Sequence, residues 1–512
     1  MDRQAIRAVA DAAVKEAHPM VHLKLVGHCR QYALELARMH SSSRLAPPRT
    51  PWTSIAIHLV VFLLWGLLFG RAFFLDGMAA WSIGMAYIAY DTLLLALVAW
   101  KARALLRPAP HEQAHLVLKL PTLGVIVAAH NEAAALPVTL DALFRQTRVP
   151  DQIVIADDGS TDGTAALLTS RYGLAQPADC RLSAPSTRYP NLRWLRVPHG
   201  GKAAALNAAL VKLRTEAVMT VDADTLLENG ACEAMAQAFA RAPRLVAATG
   251  LLTPVCGRTL GGRFFQWFQT YEYIRNFISR FAWMRMDSLL LVSGAFACYR
   301  RQPVVDVGGF DPQCLVEDYE LIHRLRRHSA MRGLDWDVQV IGAARATTDA
   351  PGTLPAFLRQ RRRWFAGFLQ TQYWYREMTG NRRYGKLGLL MLPVKAFDTM
   401  QPIYGVTAFL LLTTFLLHGK FTIALPALAI IAGKIALDLA FHFWSLHLYR
   451  RWSGDTRNTG FAMAFVASVL EPFSFQLMRH SGAAIGWLHF LCRRHQWGMQ
   501  PRTGIVRERS EA

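Results

Sequence analysis

Two apolar blocks, residues 52–100 and 386–495, bracket a charged middle, and that arrangement limits the folds open to the chain. Residues 52–74 are nearly free of charge, and so are residues 78–100 apart from Asp91. At a rise of about 1.5 Å per residue, about 20 such residues cross a hydrocarbon core of about 30 Å. Leu75-Asp76-Gly77 joins the two as a hairpin. Arg44 and Arg49 precede the first stretch, and Lys101, Arg103 and Arg107 follow the second. Basic flanks stay cytoplasmic, so both outer ends are expected there. An acid inside a span is costly, so Asp91 is expected to face another helix. Residues 387–417 and 421–449 predict a second hairpin, linked by His418-Gly419-Lys420. Residues 461–478, broken at Glu471-Pro472, and the short stretch 483–492 bring the expected total to five or six spans.

Composition agrees. Apolar residues make up 52% and charged residues 18%, the balance of an integral membrane protein with a soluble part. Lys and Arg number 57 against 36 Asp and Glu, a net charge of +21. Such a surplus suits an anionic membrane surface or phosphorylated substrates. The basic residues cluster beside the apolar spans, and no zinc-finger spacing or RNA-binding signature accompanies them, so no nucleic-acid partner is expected. The seven cysteines are scattered without a Cys-x-x-Cys pair and read as reduced thiols. No long apolar core with a cleavage site opens the chain, so no secretory signal is expected.

Between the apolar blocks the pattern changes. Strands are predicted at 124–129, 152–156, 192–197 and 218–221, and helices at 133–146, 164–171 and 202–212. Strand–helix alternation at this pitch predicts a mostly parallel sheet covered by helices, which binds ligands at the carboxyl ends of its strands. Polar clusters stand at those ends. Ala128-Ala129-His130-Asn131-Glu132 follows the first strand, where a base or ribose is read or where a plain polar loop sits. Asp157-Asp158-Gly159 makes a tight turn with carboxylates to accept from an imide or a ribose hydroxyl. Gly200-Gly201-Lys202 opens a helix, whose N-terminus favours anions, with Lys202 as a point charge for a diphosphate or simply as a surface lysine. Asp222-Ala223-Asp224 ends a strand, and alternate residues share a face, so both carboxylates converge where Mg²⁺ or Mn²⁺ suits them. Glu317 and Asp318 open a later helix, as dipole-favoured acids or as a base for an attacking hydroxyl. Gln360, Arg363 and Trp364 share a face of a basic, aromatic helix that also suits a membrane surface.

The order Asp-Asp-Gly-Ser-Thr-Asp, Gly-Lys-Ala-x-Ala-Leu-Asn, Asp-Ala-Asp, Glu-Asp-x-Glu and Gln-x-x-Arg-Trp, set between membrane spans, resembles the processive family 2 glycosyltransferases. These are the membrane synthases of cellulose, chitin, hyaluronan and poly-N-acetylglucosamine. The resemblance covers roughly residues 50–500 and implies an α/β GT-A fold, a mostly parallel sheet with helices on both faces, inserted between transmembrane helices. It implies inverting transfer from a nucleotide sugar, usually a UDP-sugar, to a nascent polysaccharide, with accessory export proteins as possible partners. A lipid acceptor taking one sugar, or a non-catalytic scaffold with a transferase-like domain, are the alternatives. By resemblance, Asp157 and Asp158 hold uracil and ribose, with Ala128, Asn131 and Glu132 beside them, and Lys202 holds the diphosphate. Asp222 and Asp224 bind sugar, diphosphate and metal. Asp318 is the general base with Glu317 in support, and Ser293-Gly294-Ala295 matches the family's turn near the acceptor. Gln360, Arg363 and Trp364 close over the sugars.

The expected organisation is an N-terminal extension at 1–50, a transmembrane hairpin at 51–103 and a GT-A domain at 116–350. An amphipathic interface helix at 355–380, a transmembrane region at 386–495 and a basic tail at 496–512 follow. The expected location is the inner (plasma) membrane, multi-pass, with the catalytic domain in the cytoplasm. Val316 stands where many cellulose-type enzymes carry a threonine, and no cyclic-dinucleotide module is expected. The run Arg359 to Arg363 is expected to grip lipid headgroups. Residues 257–288 are candidates to line the acceptor path, with Trp267, Tyr271 and Trp283 foremost, although their helical spacing fits a plain amphipathic or core role better. Residues 22–40 suit a membrane surface, and the region as a whole reads as a tether, with a regulatory or docking role as the alternative.

Overall fold

The structure, a computed structural model, describes residues 31–107, 119–454 and 460–492. An eight-stranded sheet lies between membrane-type helices. Its strands are β1 Leu123–Ala129, β2 Gln152–Asp158, β3 Leu192–Val197, β4 Ala217–Asp222, β5 Thr225–Leu227, β6 Leu245–Val255, β7 Phe296–Arg300 and β8 Asp337–Asp349. The spatial order is β3-β2-β1-β4-β7-β6-β8-β5. The half β3-β2-β1-β4 is parallel, as the strand–helix alternation requires. β7 then enters antiparallel between β4 and β6, β8 runs parallel to β6, and β5 pairs antiparallel with β8. Val125, Ile126 and Val127 of β1 are all fully buried, the continuous apolar run of a strand covered on both faces. Each such side chain contributes about 1.5–3 kcal/mol of burial.

Register places the chemistry. Ala129 sits beside Asp157 across β1–β2, and Ala128 beside Asp222 across β1–β4. The polar ends of three parallel strands therefore share one edge.

Among the described residues four helices are long and apolar enough to cross a membrane: Trp52–Phe74, Gly77–Leu106, Leu387–Leu417 and Phe421–Ser453. Asp91 does face another helix, pairing with Lys434 at 2.7 Å. Of the two span counts expected, the described helices allow at most the lower, five. Phe461–Phe473 and Phe475–Leu491 form one path bent by 47°, a fifth span at most. Its second half lies along the helix Leu354–Trp374, because Gly482 and Gly486 leave room for Arg361 and Phe365.

Residues 31–46 take up the docking alternative. A helix at 31–41 packs on the catalytic unit. Arg38 donates to the carbonyl of Phe310, Ser41 to that of Val307, and Arg44 makes a two-pronged pair with the buried Asp311. Residues 1–30, Arg457 and the tail from residue 493 lie outside the described residues.

Candidate active site

Lys202 is the meeting point. It begins the helix Lys202–Leu210, after a turn in which Gly201 takes φ 87°, a left-handed value that favours glycine. Asp158 holds that turn: its carboxylate accepts from the N–H groups of Gly200 at 2.8 Å and Gly201 at 3.0 Å. So anchored, Lys202 extends its ammonium to 2.5 Å from Asp222 and 3.5 Å from Glu317, and donates to the carbonyl of Gly294 at 3.4 Å. Burial alone would lower the Lys202 pKa; Asp222 and then Glu317 outweigh it and raise it above the usual lysine value. Burial raises the Glu317 carboxyl, Lys202 opposes, and Asp318 adds to the rise.

Gly294 links this cluster to Asp318, donating its N–H to Oδ2 at 2.6 Å. The second Asp318 oxygen accepts from the N–H of Tyr319 at 2.8 Å. The turn at Ser293-Gly294-Ala295 is fastened to the acid strand by the N–H of Asp222, which donates to Ala295. Asp224 is buried beside β8, where the N–H of Asp349 donates to its carbonyl.

One cavity of about 780 Å³ takes in these groups. Lys202, Asp222, Asp224, Ser293, Gly294, Glu317 and Asp318 line it, and Gln360, Arg363 and Trp364 close it from the helix Leu354–Trp374. Ten of the fifteen expected site residues thus share one wall. Ala128, Asn131, Glu132, Asp157 and Asp158 do not line it. They stand at the adjoining strand edge, where the side-chain oxygen of Asn131 accepts from the N–H groups of Thr161 and Asp162. Asp157 is 1% exposed and spends its carboxylate inside the fold, accepting from Ser160 N–H at 2.9 Å and Trp194 Nε1 at 3.3 Å. His130 and His199 stack there at 4.3 Å between centroids, and with Asp158 bring one donor atom each within 4.8 Å of one another.

The donor set in the cavity suits a hard divalent ion. Asp222, Asp224, Asp349, Glu317 and Asp318 bring carboxylates to the lining, with Lys202 paired to Asp222 and Glu317, and no cysteine is among the lining residues.

Two features were not expected, and a third decides between readings left open. Arg361, in the run assigned to lipid headgroups, turns inward and makes a two-pronged buried pair with Glu272 at 2.9 and 2.6 Å, stacking on Trp364. A guanidinium at that depth needs a carboxylate more than a headgroup. Trp267 and Tyr271 bond to Met463 and Gly460 of the bent segment, so of the three aromatic candidates only Trp283 lines the cavity. Asp349 joins the acids from the end of β8, a strand the sequence pattern did not reveal.

A mixed sheet with acids gathered at its carboxyl edge is the architecture of a GT-A glycosyltransferase. Residues 124–308 match the family model for glycosyl transferase family 2, and residues 217–433 match that for glycosyl transferase family group 2. The chain carries a family 2 glycosyltransferase domain and is a glycosyltransferase similar to the processive synthases. It is 26% identical over 313 residues to a poly-β-1,6-N-acetyl-D-glucosamine synthase of Staphylococcus epidermidis, covering 60% of this chain and 67% of that one. It is 28% identical over 251 residues to the synthase of the same description from Staphylococcus aureus strain COL, covering 49% of this chain and 55% of that one. A solved mannosyltransferase, PcManGT from Pyrobaculum calidifontis in complex with GDP-Man and Mn²⁺, superposes loosely, with 21% identity, a TM-score of 0.49, and 77% of this chain and 99% of that one covered.

Proposed function

We propose that the protein transfers hexosyl units from a UDP-sugar, UDP-N-acetylglucosamine or UDP-glucose, to a growing polysaccharide with inversion, and passes the product into its membrane spans. The observation that carries this reading is the continuity of the cavity. The wall that holds Lys202, Asp222 and Asp318 also holds Asp91, Lys434 and Asp438, which lie within the helices Gly77–Leu106 and Phe421–Ser453. Charges inside spans face a bundle interior or a wet passage, and here they face the cavity that begins at the acids. The similarity to poly-β-1,6-N-acetyl-D-glucosamine synthases favours N-acetylglucosamine as the unit. On the basic flanks of the spans, the catalytic unit is assigned to the cytoplasmic face of the inner (plasma) membrane.

The chemistry is one displacement. An acceptor hydroxyl attacks the anomeric carbon, its proton passes to Asp318, and the carbon–oxygen bond to the diphosphate breaks with the electron pair leaving on UDP. Asp318 is held at both oxygens by N–H groups and keeps lone pairs for the incoming proton. Glu317 and Lys202 fix one another beside it, and Lys202 faces the diphosphate. Asp222 and Asp224 would hold Mg²⁺ or Mn²⁺, which offsets charge building on the leaving group. Gln360, Arg363 and Trp364 orient the sugars. The nucleoside is assigned to the edge formed by Ala128, Asn131, Glu132, Asp157 and Asp158.

The test is purified protein in lipid nanodiscs with a panel of nucleotide sugars and Mn²⁺ or Mg²⁺, with products read by mass. A ladder of saccharides is expected, lost on chelation, and reduced about 10²–10⁴-fold in Asp318→Asn. Transfer of a single sugar to lipid would overturn the polymer reading. Absence of turnover with every donor would overturn the enzymatic one.

A further inference from the structure

The helix Leu260–Met284 carries Tyr273, Asn276, Arg280 and Trp283 into the cavity wall. Their spacing of three, four and three residues puts them on one helical face. This face combines two aromatic surfaces with an amide and a guanidinium, the groups that grip sugar rings and their oxygens.

Arg280 is the exceptional member. Its neighbours on and around the helix are paired: Arg275 with Glu471 at 2.5 Å, and Arg361 with Glu272. The Nε and Nη1 atoms of Arg280 are shielded from solvent and have no hydrogen-bond partner among the described residues. Its guanidinium rests over Phe277 of its own helix, 4.6 Å from the ring centroid. A shielded guanidinium with unmet donors is expensive, and such a group calls for an explanation. Burial lowers its pKa to about 10, with Tyr273 and Asp318 opposing, so it stays charged at neutral pH.

Placement selects the ligand. The helix packs against Ser82–Ala102 and Phe421–Ser453 on its membrane side, while the charge of Asp318 reaches Arg280 from the catalytic side. The stripe therefore lies between the acids and the spans. The donor diphosphate has its own cation in Lys202, beside Asp222. We propose that Tyr273, Asn276, Arg280 and Trp283 form the acceptor subsite, with Arg280 donating to hydroxyl or acetamide oxygens of the saccharide that awaits the next unit. This rests on the polymer-forming reading above.

The experiment is extension of a short β-1,6-linked N-acetylglucosamine oligomer with UDP-N-acetylglucosamine, varying each substrate in turn. In Arg280→Gln the KM for the oligomer rises about ten- to hundredfold, the worth of a charged hydrogen bond, while the donor KM is nearly unchanged. Arg280→Lys recovers part of the loss, and Asn276→Ala gives a smaller rise of the same kind. Melting temperature and gel filtration select variants that fold. An unchanged oligomer KM in folded Arg280→Gln overturns the subsite. A raised donor KM with an unchanged oligomer KM overturns it too, giving Arg280 to the diphosphate. Wild-type enzyme that consumes donor but never extends the oligomer overturns the polymer reading itself, a result distinct from the other two.

Discussion

The backbone N–H of Gly294 lies 2.6 Å from Asp318 Oδ2, and nothing larger than hydrogen fits on the Gly294 Cα while that contact holds. A Cβ there would stand 2.9 Å from the same oxygen and 3.2 Å from Asp318 Cβ and Cγ. Gly294→Ala must therefore displace the carboxylate assigned as base. The expected result is a fall in kcat of about 10²–10⁴-fold with donor KM little changed. Steady-state kinetics on protein with unaltered melting behaviour reads it, and full activity would remove Asp318 from the proton transfer.

Lys202 separates Asp222 from Glu317, and its loss leaves two acids facing each other. In Lys202→Met the donor KM is expected to rise about tenfold or more. The Glu317 carboxyl is already raised, first by burial and further by Asp318, with Lys202 holding it down. Removing the lysine raises it again, so the acid limb of the pH–rate profile moves to higher pH. A profile that stays in place would show that Glu317 does not titrate with turnover.

His323, fully buried beneath the acids, is held neutral: burial lowers its pKa to about 4, against a weaker opposing bond to the Tyr319 carbonyl. A depressed base contributes stability that is present above its unfolded value near 6.5 and lost as pH falls through the folded value. The loss amounts to about 3 kcal/mol across that window. His323→Gln is expected to flatten the fall in melting temperature between pH 7 and pH 4.5, measured in detergent. An equally steep fall would place the acid sensitivity elsewhere.

How much of this was legible depended on locality. β1 to β4 are short apolar runs ending in polar clusters, and their shared edge follows from parallel pairing. The gathering of Asp222 and Asp318 was legible only through the order of motifs, since about a hundred residues separate them. β8 escaped because its sequence, Asp-Val-Gln-Val-Ile-Gly-Ala-Ala-Arg-Ala-Thr-Thr-Asp, alternates buried with part-exposed residues and carries charge. Arg361 was misassigned for a similar reason: five adjacent basic and polar residues look alike until the fold brings Glu272, far back in the chain, against one of them. Of the aromatic candidates on Leu260–Met284 only Trp283 lines the cavity, since the aromatic residues of that helix occupy both faces and only the folded packing of Trp267 and Tyr271 tells the faces apart.

The grip of residues 38–44 on Val307, Phe310 and Asp311 has a bearing on how the protein is made. This leading piece leaves the ribosome well before its docking surface exists. It has to remain undocked while some 260 further residues are synthesised. Closure of Arg44 on Asp311 therefore waits until the chain past residue 311 has been made.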